Sequence, residues 1–211
     1  MILDLHTHSI KSDDGKARVE NYCQWIRKRE IALDGFVLTE HRQFDLESDY
    51  RSLEDSFGMA ILKASEVETD YGHVLVFGVN EDLQQAFDFT KIDLSLAEVL
   101  EESERCGAVA VPCHPGRPRV GLCAHLEKRG ALAGIRWIEV YNGGSRSGEN
   151  EASLALAQER GYAGIGGSDS HIVSHIGRCV TRFEDRVENA EQLVSALQSG
   201  RFEAESWMSK N

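Results

Sequence analysis

The stretch Leu3-Asp4-Leu5-His6-Thr7-His8-Ser9 begins as a short apolar strand and ends in two histidines one residue apart. On a β-strand, residues i and i+2 point to the same face. His6 and His8 therefore aim two imidazoles at one point, which is a metal-ligand geometry. A histidine pair near an N-terminus can equally be a polar strand end, so this pair alone settles nothing. The pattern recurs, however, in Thr39-Glu40-His41, Ser65-Glu66-Val67-Glu68, Gly72-His73, Cys113-His114-Pro115-Gly116-Arg117 and Gly167-Ser168-Asp169-Ser170-His171. Five of the eight histidines follow or end short apolar runs and a sixth, His73, begins one, a placement that chance scattering does not produce.

Around these motifs, strand-like and helix-like segments alternate. Strand patterns occupy 2–5, 35–39, 60–64, 74–79, 108–113, 137–141, 163–166 and 178–183. Helical patterns occupy 19–30, 96–105, 122–129, 149–160 and 190–198. In the first helix Val19, Tyr22, Cys23 and Ile26 recur at i, i+3, i+4 and i+7. Ser95 followed by Glu98 reads as a capping box, and Gly107 as the stop. This alternation predicts an α/β fold with a parallel sheet and crossover helices, whose strand C-termini gather at one edge. His73 is the exception, because it starts its strand. Segments 42–56 and 141–150 read as loops over that edge, the second as a surface loop with a lid as the lesser option. With no repeat, low-complexity tract or linker, residues 1–211 read as a single domain.

A hydrophobic share of 41% and three prolines indicate an ordinary globular chain. No apolar run is long enough to span a membrane, and the N-terminus carries no export signal, so the expectation is cytoplasmic. Five cysteines without C-x-x-C spacing fit neither a disulfide framework nor a thiolate zinc site. Cys113 is expected to turn away from the site by strand alternation. The net charge of -12 disfavours broad attraction to nucleic acid or anionic membrane.

The opening stretch and these five motifs, in this order, resemble the PHP (polymerase and histidinol phosphatase) family of metal-dependent phosphoesterases, over 2–183. The resemblance implies a distorted seven-stranded (β/α) barrel holding two to three divalent ions. Imidazole and carboxylate donors without thiolate suit zinc, manganese or iron. Carried over by residue, His6, His8, Glu66 and Asp169 would hold one ion. Glu66 would bridge to a second with His73 and His114, and Asp14, His41 and His171 would hold a third. Asp13 competes with Asp14; the latter is preferred because it precedes Gly15. Glu40 replaces the family's usual Asp, and Glu68 and Glu139 are candidate supporting acids.

Arg117 follows a candidate ligand by three residues, and its guanidinium suits phosphate oxygens. Arg178 is a second candidate substrate contact. His175 is a candidate proton donor or phosphate contact, whereas His125 reads as a surface residue. The expected reaction is hydrolysis of a small phosphomonoester or nucleotide by a metal-activated hydroxide. The runner-up is a 5′-3′ exonuclease on short oligonucleotides, followed by a non-catalytic metal-binding module and metal-assisted hydrolysis of a C–N or C–O bond. No long nucleic acid is expected as partner.

Overall fold

A computed structural model describes residues 1–208. The elements are β1 (Ile2–Thr7), α1 (Val19–Arg29), β2 (Gly35–His41), α2 (Arg51–Phe57), β3 (Ala60–Thr69), β4 (Gly72–Phe77) and α3 (Glu81–Ala86). They continue with α4 (Leu96–Arg105), β5 (Val109–Pro112), α5 (Leu122–Arg129), β6 (Trp137–Asn142), α6 (Glu149–Arg160) and β7 (Ala163–Gly167). A 3-10 turn (Val173–His175), β8 (Cys179–Phe183), α7 (Ala190–Ser199) and β9 (Phe202–Ser206) complete the described residues. No helix among them is long and apolar enough to cross a membrane.

The α/β alternation holds, but the sheet is mixed where a parallel one was expected. Seven strands lie in the order β5-β4-β3-β2-β1-β8-β9, and β6-β7 form a separate parallel pair. β1, β2 and β3 are parallel, whereas β4 runs antiparallel to both β3 and β5. The reason is local: Thr69 pairs with Gly72, leaving two residues between the strands. Such a hairpin reverses the chain, because a parallel return needs a crossover of a dozen residues or more. The hydrogen-bonded ladder is thus a curled seven-stranded sheet plus a pair, not one closed barrel. A bridge between Thr7 and Ser170 and a bond from His8 N to Ser170 O at 2.8 Å connect the two.

Alternation sorts the apolar side chains. Val37, Leu62, Leu75, Val109 and Val111 share one buried cluster with Ile165 of the second sheet. Phe36, Leu38 and Ile61 face the other way, onto Tyr22, Cys23 and Ile26 of α1. β1 breaks this order: Asp4 lies opposite Phe36 and Thr7 opposite Leu38, so one extra residue is inserted. Leu3 and Leu5 line the inner cluster below this irregularity. Above it the faces exchange, and His6 and His8 point inward. Bulges that re-aim side chains in this way concentrate at functional sites.

Three elements escaped the sequence reading. α2 overlaps segment 42–56, expected to be a loop, and buries no residue fully, so it leaves no hydrophobic period. α3 spans only six residues. β9, which follows α7 and has no counterpart among the strand patterns of the sequence, extends the sheet by pairing with β8. The Ser95 cap is present, with Oγ accepting from Glu98 N at 3.4 Å.

Asp4 ties the two sheets together from the inside. Its carboxylate accepts the N–H of Ser168 and of Gly177, each at 2.8 Å, and that of His6 at 3.3 Å. Burial pushes its pKa up to about 6 against those bonds, so it is ionised at pH 8. Asp4→Ala leaves buried donors unpaired, and urea unfolding at pH 8 should show a loss of about 3 kcal/mol. Asp4→Asn should recover only part of that loss, since its amide NH2 opposes an N–H.

Candidate metal centre

One carboxylate organises the open edge of the sheet. Glu66, in β3, is 1% exposed. Its Oε2 lies 2.9 Å from His6 Nε2, 3.1 Å from His8 Nε2 and 3.4 Å from His41 Nδ1. Its Oε1 lies 2.7 Å from His73 Nδ1 and 3.2 Å from His114 Nε2. Asp169 Oδ1 closes the first group at 3.5 Å from Nε2 of both His6 and His8.

The topology explains how these residues meet. His41 and Glu66 are cross-strand neighbours on β2 and β3. His73 starts β4, but β4 is antiparallel, so its start lies at the edge where β3 ends, opposite Glu68. His114 follows β5 with φ 33, and Asp169 follows β7 with φ 51. Both are left-handed conformations that non-glycine residues rarely adopt. Here they turn the side chains back into the site.

Supporting contacts fix the rings. His6 Nδ1 lies 2.9 Å from Glu139 Oε1, and Glu139 Oε2 accepts the N–H of His114 at 2.8 Å. Glu139 is therefore a supporting acid for two of the histidines. A Cβ at Gly167 would collide with His6 and Glu139, so glycine permits this approach. Glu40 accepts from Ser9 N at 3.1 Å and from Ser12 Oγ at 2.6 Å, holding the loop after β1. Ser12 Oγ in turn lies 3.3 Å from His8 Nδ1 and accepts His41 N at 3.0 Å. Tyr22, from α1, donates to the carbonyls of His8 and Ser170, both at 2.9 Å.

The two aspartates of the 9–15 loop separate by partner. Asp14 faces His171 Nε2 at 3.1 Å and His41 Nε2 at 3.6 Å. Asp13 instead pairs with Arg42 at 2.7 Å. The same Arg42 also binds Glu68, which lies opposite His73 and, with Glu66, helps raise the pKa of that ring against burial.

Two donor groups have the composition of expected ligand sets, His6, His8, Glu66 and Asp169, and Glu66, His73 and His114; a third joins His41 and His171 to His8 rather than to Asp14, and a fourth joins Cys113 to His6 and Glu139. They fit divalent cations chemically. The Nε2 atoms of His6 and His8 face each other at 3.0 Å. His41 Nδ1 is buried without a hydrogen-bond partner among the described residues. Burial works against the charge of Glu66, but the His6 charge and hydrogen bonds from His114, His6 and His73 outweigh it and hold the carboxyl well below its usual range. Asp169 is lowered in the same way, by His6, His8 and Arg117 against burial. For His8, burial opposes the proton, yet hydrogen bonds to Asp169 and Glu66 raise it to about 9.

Cys113 corrects an expectation. It stays on the inner face with Val109 and Val111, and its Sγ reaches Glu66 Oε1 at 3.4 Å. Strand alternation would place Cys113 and His114 on opposite faces; the left-handed turn at His114 breaks it. All five cysteines are free thiols.

Beside the centre lies a cleft of about 720 Å³, lined by Arg117, Arg119, Arg146, His171 and His175 among others. Arg117 Nη2 donates to Asp169 Oδ2 at 2.7 Å and to Asn142 Oδ1 at 3.0 Å. Arg178 instead reaches the Gly143 carbonyl at 3.4 Å and braces the 143–148 loop. His175 stands on the cleft wall; burial, then the charges of Arg178 and His171, lower its pKa. His125 is half-buried on α5 and binds the Arg119 carbonyl at 2.6 Å, away from the donor cluster.

A PHP-associated family profile matches residues 147–202. A curated relative, an uncharacterised protein of Methanocaldococcus jannaschii (MJ1587), is 25% identical over 70% of this chain and 85% of its own length. A solved protein described as a metal-dependent phosphoesterase, from Bifidobacterium adolescentis, shares the fold at a TM-score of 0.59 and 16% identity, over 93% of this chain and 95% of that one. An amidohydrolase from Chromobacterium violaceum aligns at 0.64 and 18%, over 95% and 97%. The lesion-specific endonuclease Q of Pyrococcus furiosus aligns at 0.68 and 16%, over 97% of this chain but 58% of that one. The profile match is confined to residues 147–202, and the solved structures show a shared fold. Endonuclease Q has also been solved on a 27-mer duplex, so the fold itself gives no support to an expectation against long nucleic acid.

Metal-free protein should lose stability as pH rises. The His8 proton stabilises fully below the unfolded value of 6.5 and is lost as pH passes about 9. Thermal melts of chelated protein should therefore fall between these limits, and a divalent ion that replaces the proton should remove the decline. Glu66 and Asp169 add the opposite limb, stabilising above the ordinary carboxylate range and failing as acid reaches their lowered values. Metal analysis gives a second check: Asp14→Ala should lower the bound metal by up to one equivalent per chain, whereas Asp13→Ala should not.

Proposed function

We propose that this chain is a metal-dependent phosphoesterase acting on a small phosphomonoester or nucleotide. The observation that carries this reading is a convergent histidine–carboxylate cluster opening onto an arginine-lined cleft, in a protein whose net charge is -12. Acidic protein elsewhere repels anions; this cleft is where one is welcome. In this reading the two sheets work as one distorted seven-stranded (β/α) barrel, β1 to β7, with β8 and β9 appended.

His6, His8, Glu66 and Asp169 would hold one divalent ion, Glu66, His73 and His114 a second, and Asp14, His41 and His171 a third, each being zinc, manganese or iron. Bound there, such ions would lower the pKa of water toward 7 and neutralise phosphoryl oxygens. Glu139 keeps His6 oriented, and Glu40 with Ser12 keeps His8 and His41 in place. Arg117 sits where it can share its guanidinium between Asp169 and a phosphate oxygen. His175 is the proton donor for the leaving oxygen; it takes up its proton as an anion enters the cleft and offsets the arginine charges. Arg178 would touch substrate only by leaving Gly143, so its first effect is on loop shape.

The second reading, a 5′-3′ exonuclease on short oligonucleotides, uses the same site, because the cleft recognises a terminal phosphate whatever follows it. Amide hydrolysis lacks a comparable reason for three arginines. The test is phosphate release from phosphomonoesters, nucleotides and short oligonucleotides, with chelated protein and protein rebuilt with Mn²⁺, Zn²⁺ or Fe²⁺. Metal-dependent release from small substrates supports the first reading, and products from oligonucleotides alone support the second. Fully metallated protein that releases nothing from any of them contradicts both.

Arg117→Ala should raise KM about tenfold or more while metal content stays near that of the parent, because Asp169 Oδ1 still faces His6 and His8. Metal loss in that variant would instead make Arg117 a support for Asp169.

A further inference from the structure

Cys113 lies inside the donor cluster. Its Sγ is 3.4 Å from Glu66 Oε1 and 3.3 Å from His114 Nε2, and those two atoms are 3.2 Å apart. His73 Nδ1 joins this triangle through its 2.7 Å contact with Glu66 Oε1. Zinc binds thiolate at about 2.3 Å and imidazole at about 2.0 Å, which at tetrahedral angles puts sulfur and nitrogen about 3.5 Å apart. The observed edges are those of a face of such a coordination shell.

The backbone makes this arrangement specific. Alternation along β5 keeps Val109, Val111 and Cys113 on one face. The left-handed His114 then brings its imidazole to the same side, so adjacent residues in sequence offer donors to one point. The other fully buried cysteines have no such setting. Cys23 packs among Val19, Tyr22 and Ile26, and Cys179 faces the Ser206 hydroxyl at 3.7 Å.

We propose that Cys113 is a protein ligand of the second ion, together with Glu66, His73 and His114. This rests on the metal-centre reading above and narrows it: a thiolate donor favours zinc over manganese at that position. On binding, the sulfur–metal bond replaces the S–H bond, and the proton leaves to solvent. The chain then combines one position with a soft donor and others built from imidazole and oxygen alone.

Cobalt(II) tests this independently of activity. Metal-free full-length protein is titrated with Co²⁺ while absorbance and bound metal are recorded. The expected result is a near-ultraviolet thiolate-to-cobalt charge-transfer band, at one thiolate per chain, that disappears in Cys113→Ser and Cys113→Ala. Cobalt that binds without this band overturns the thiolate assignment and leaves the metal centre standing. A band that survives in both variants belongs to another thiol and also overturns it. Protein that binds no cobalt removes the metal centre and the ligand together. Should both variants fail to fold, cadmium titration of the parent protein decides. One thiolate–cadmium band per chain, protecting a single thiol from alkylation that peptide mapping identifies as Cys113, supports the proposal; any other protected thiol, or none, contradicts it.

Discussion

A single buried carboxylate is the constraint from which the rest follows. Glu66 sits at 1% exposure with five imidazoles around its two oxygens. An ionised carboxylate taken out of water without compensation is costly, and it is kept only where positive charge is supplied. Protons on the histidines supply it in metal-free protein, and divalent cations would supply it in the loaded form. Strands β1, β2, β4 and β5 all contribute a histidine at or next to the edge where β3 delivers this residue, and the loop after β7 adds Asp169 and His171.

Bringing them there requires departures from regular structure. One extra residue in β1 turns His6 and His8 inward after Leu3 and Leu5 have already claimed that face. The tight β3–β4 connection reverses a strand so that its first residues, not its last, reach the site. Left-handed backbone at Arg42, His114 and Asp169 re-aims residues just beyond strand ends. Such conformations cost of order 1–3 kcal/mol each. They persist because Asp4, Glu40, Glu139 and Tyr22 pin the surrounding backbone from several directions.

Much of this was legible in the chain, and the limits have physical causes. The apolar face of α1 was readable to the residue, because a helix packed on a sheet must repeat its buried positions. Most of the clustered histidines and acids stood out because they lie at or just beyond the ends of strand-forming runs; His73, which begins one, did not fit that rule. Strand direction was not, since hydrophobic alternation is the same for parallel and antiparallel pairs. The bulge in β1 was equally silent: His-x-His keeps its spacing whichever face it takes. Cys113 was misplaced because the reading had no way to see the backbone sign change at His114. α2 lacked a buried stripe, so only tertiary structure defines it. The preference for Asp14 over Asp13 rested on a neighbouring glycine; the differing contacts of the two, Asp13 with Arg42 and Asp14 with His41 and His171, depend on tertiary structure that the chain does not display.

The fold that gathers these residues is shared with hydrolases acting on different bonds, so architecture alone does not choose the chemistry. In the proposed reading that choice falls to the cleft and to the ions the cluster would hold. Anomalous X-ray diffraction at the edges of zinc, iron and manganese, on crystals of protein purified without chelator, tests the central claim most directly. The account predicts one peak enclosed by His6, His8, Glu66 and Asp169 and another enclosed by Glu66, His73 and His114. Fully ordered side chains with no metal peak between them, held by hydrogen bonds from the imidazoles to Glu66, would show that the cluster is a buried proton network and contradict it.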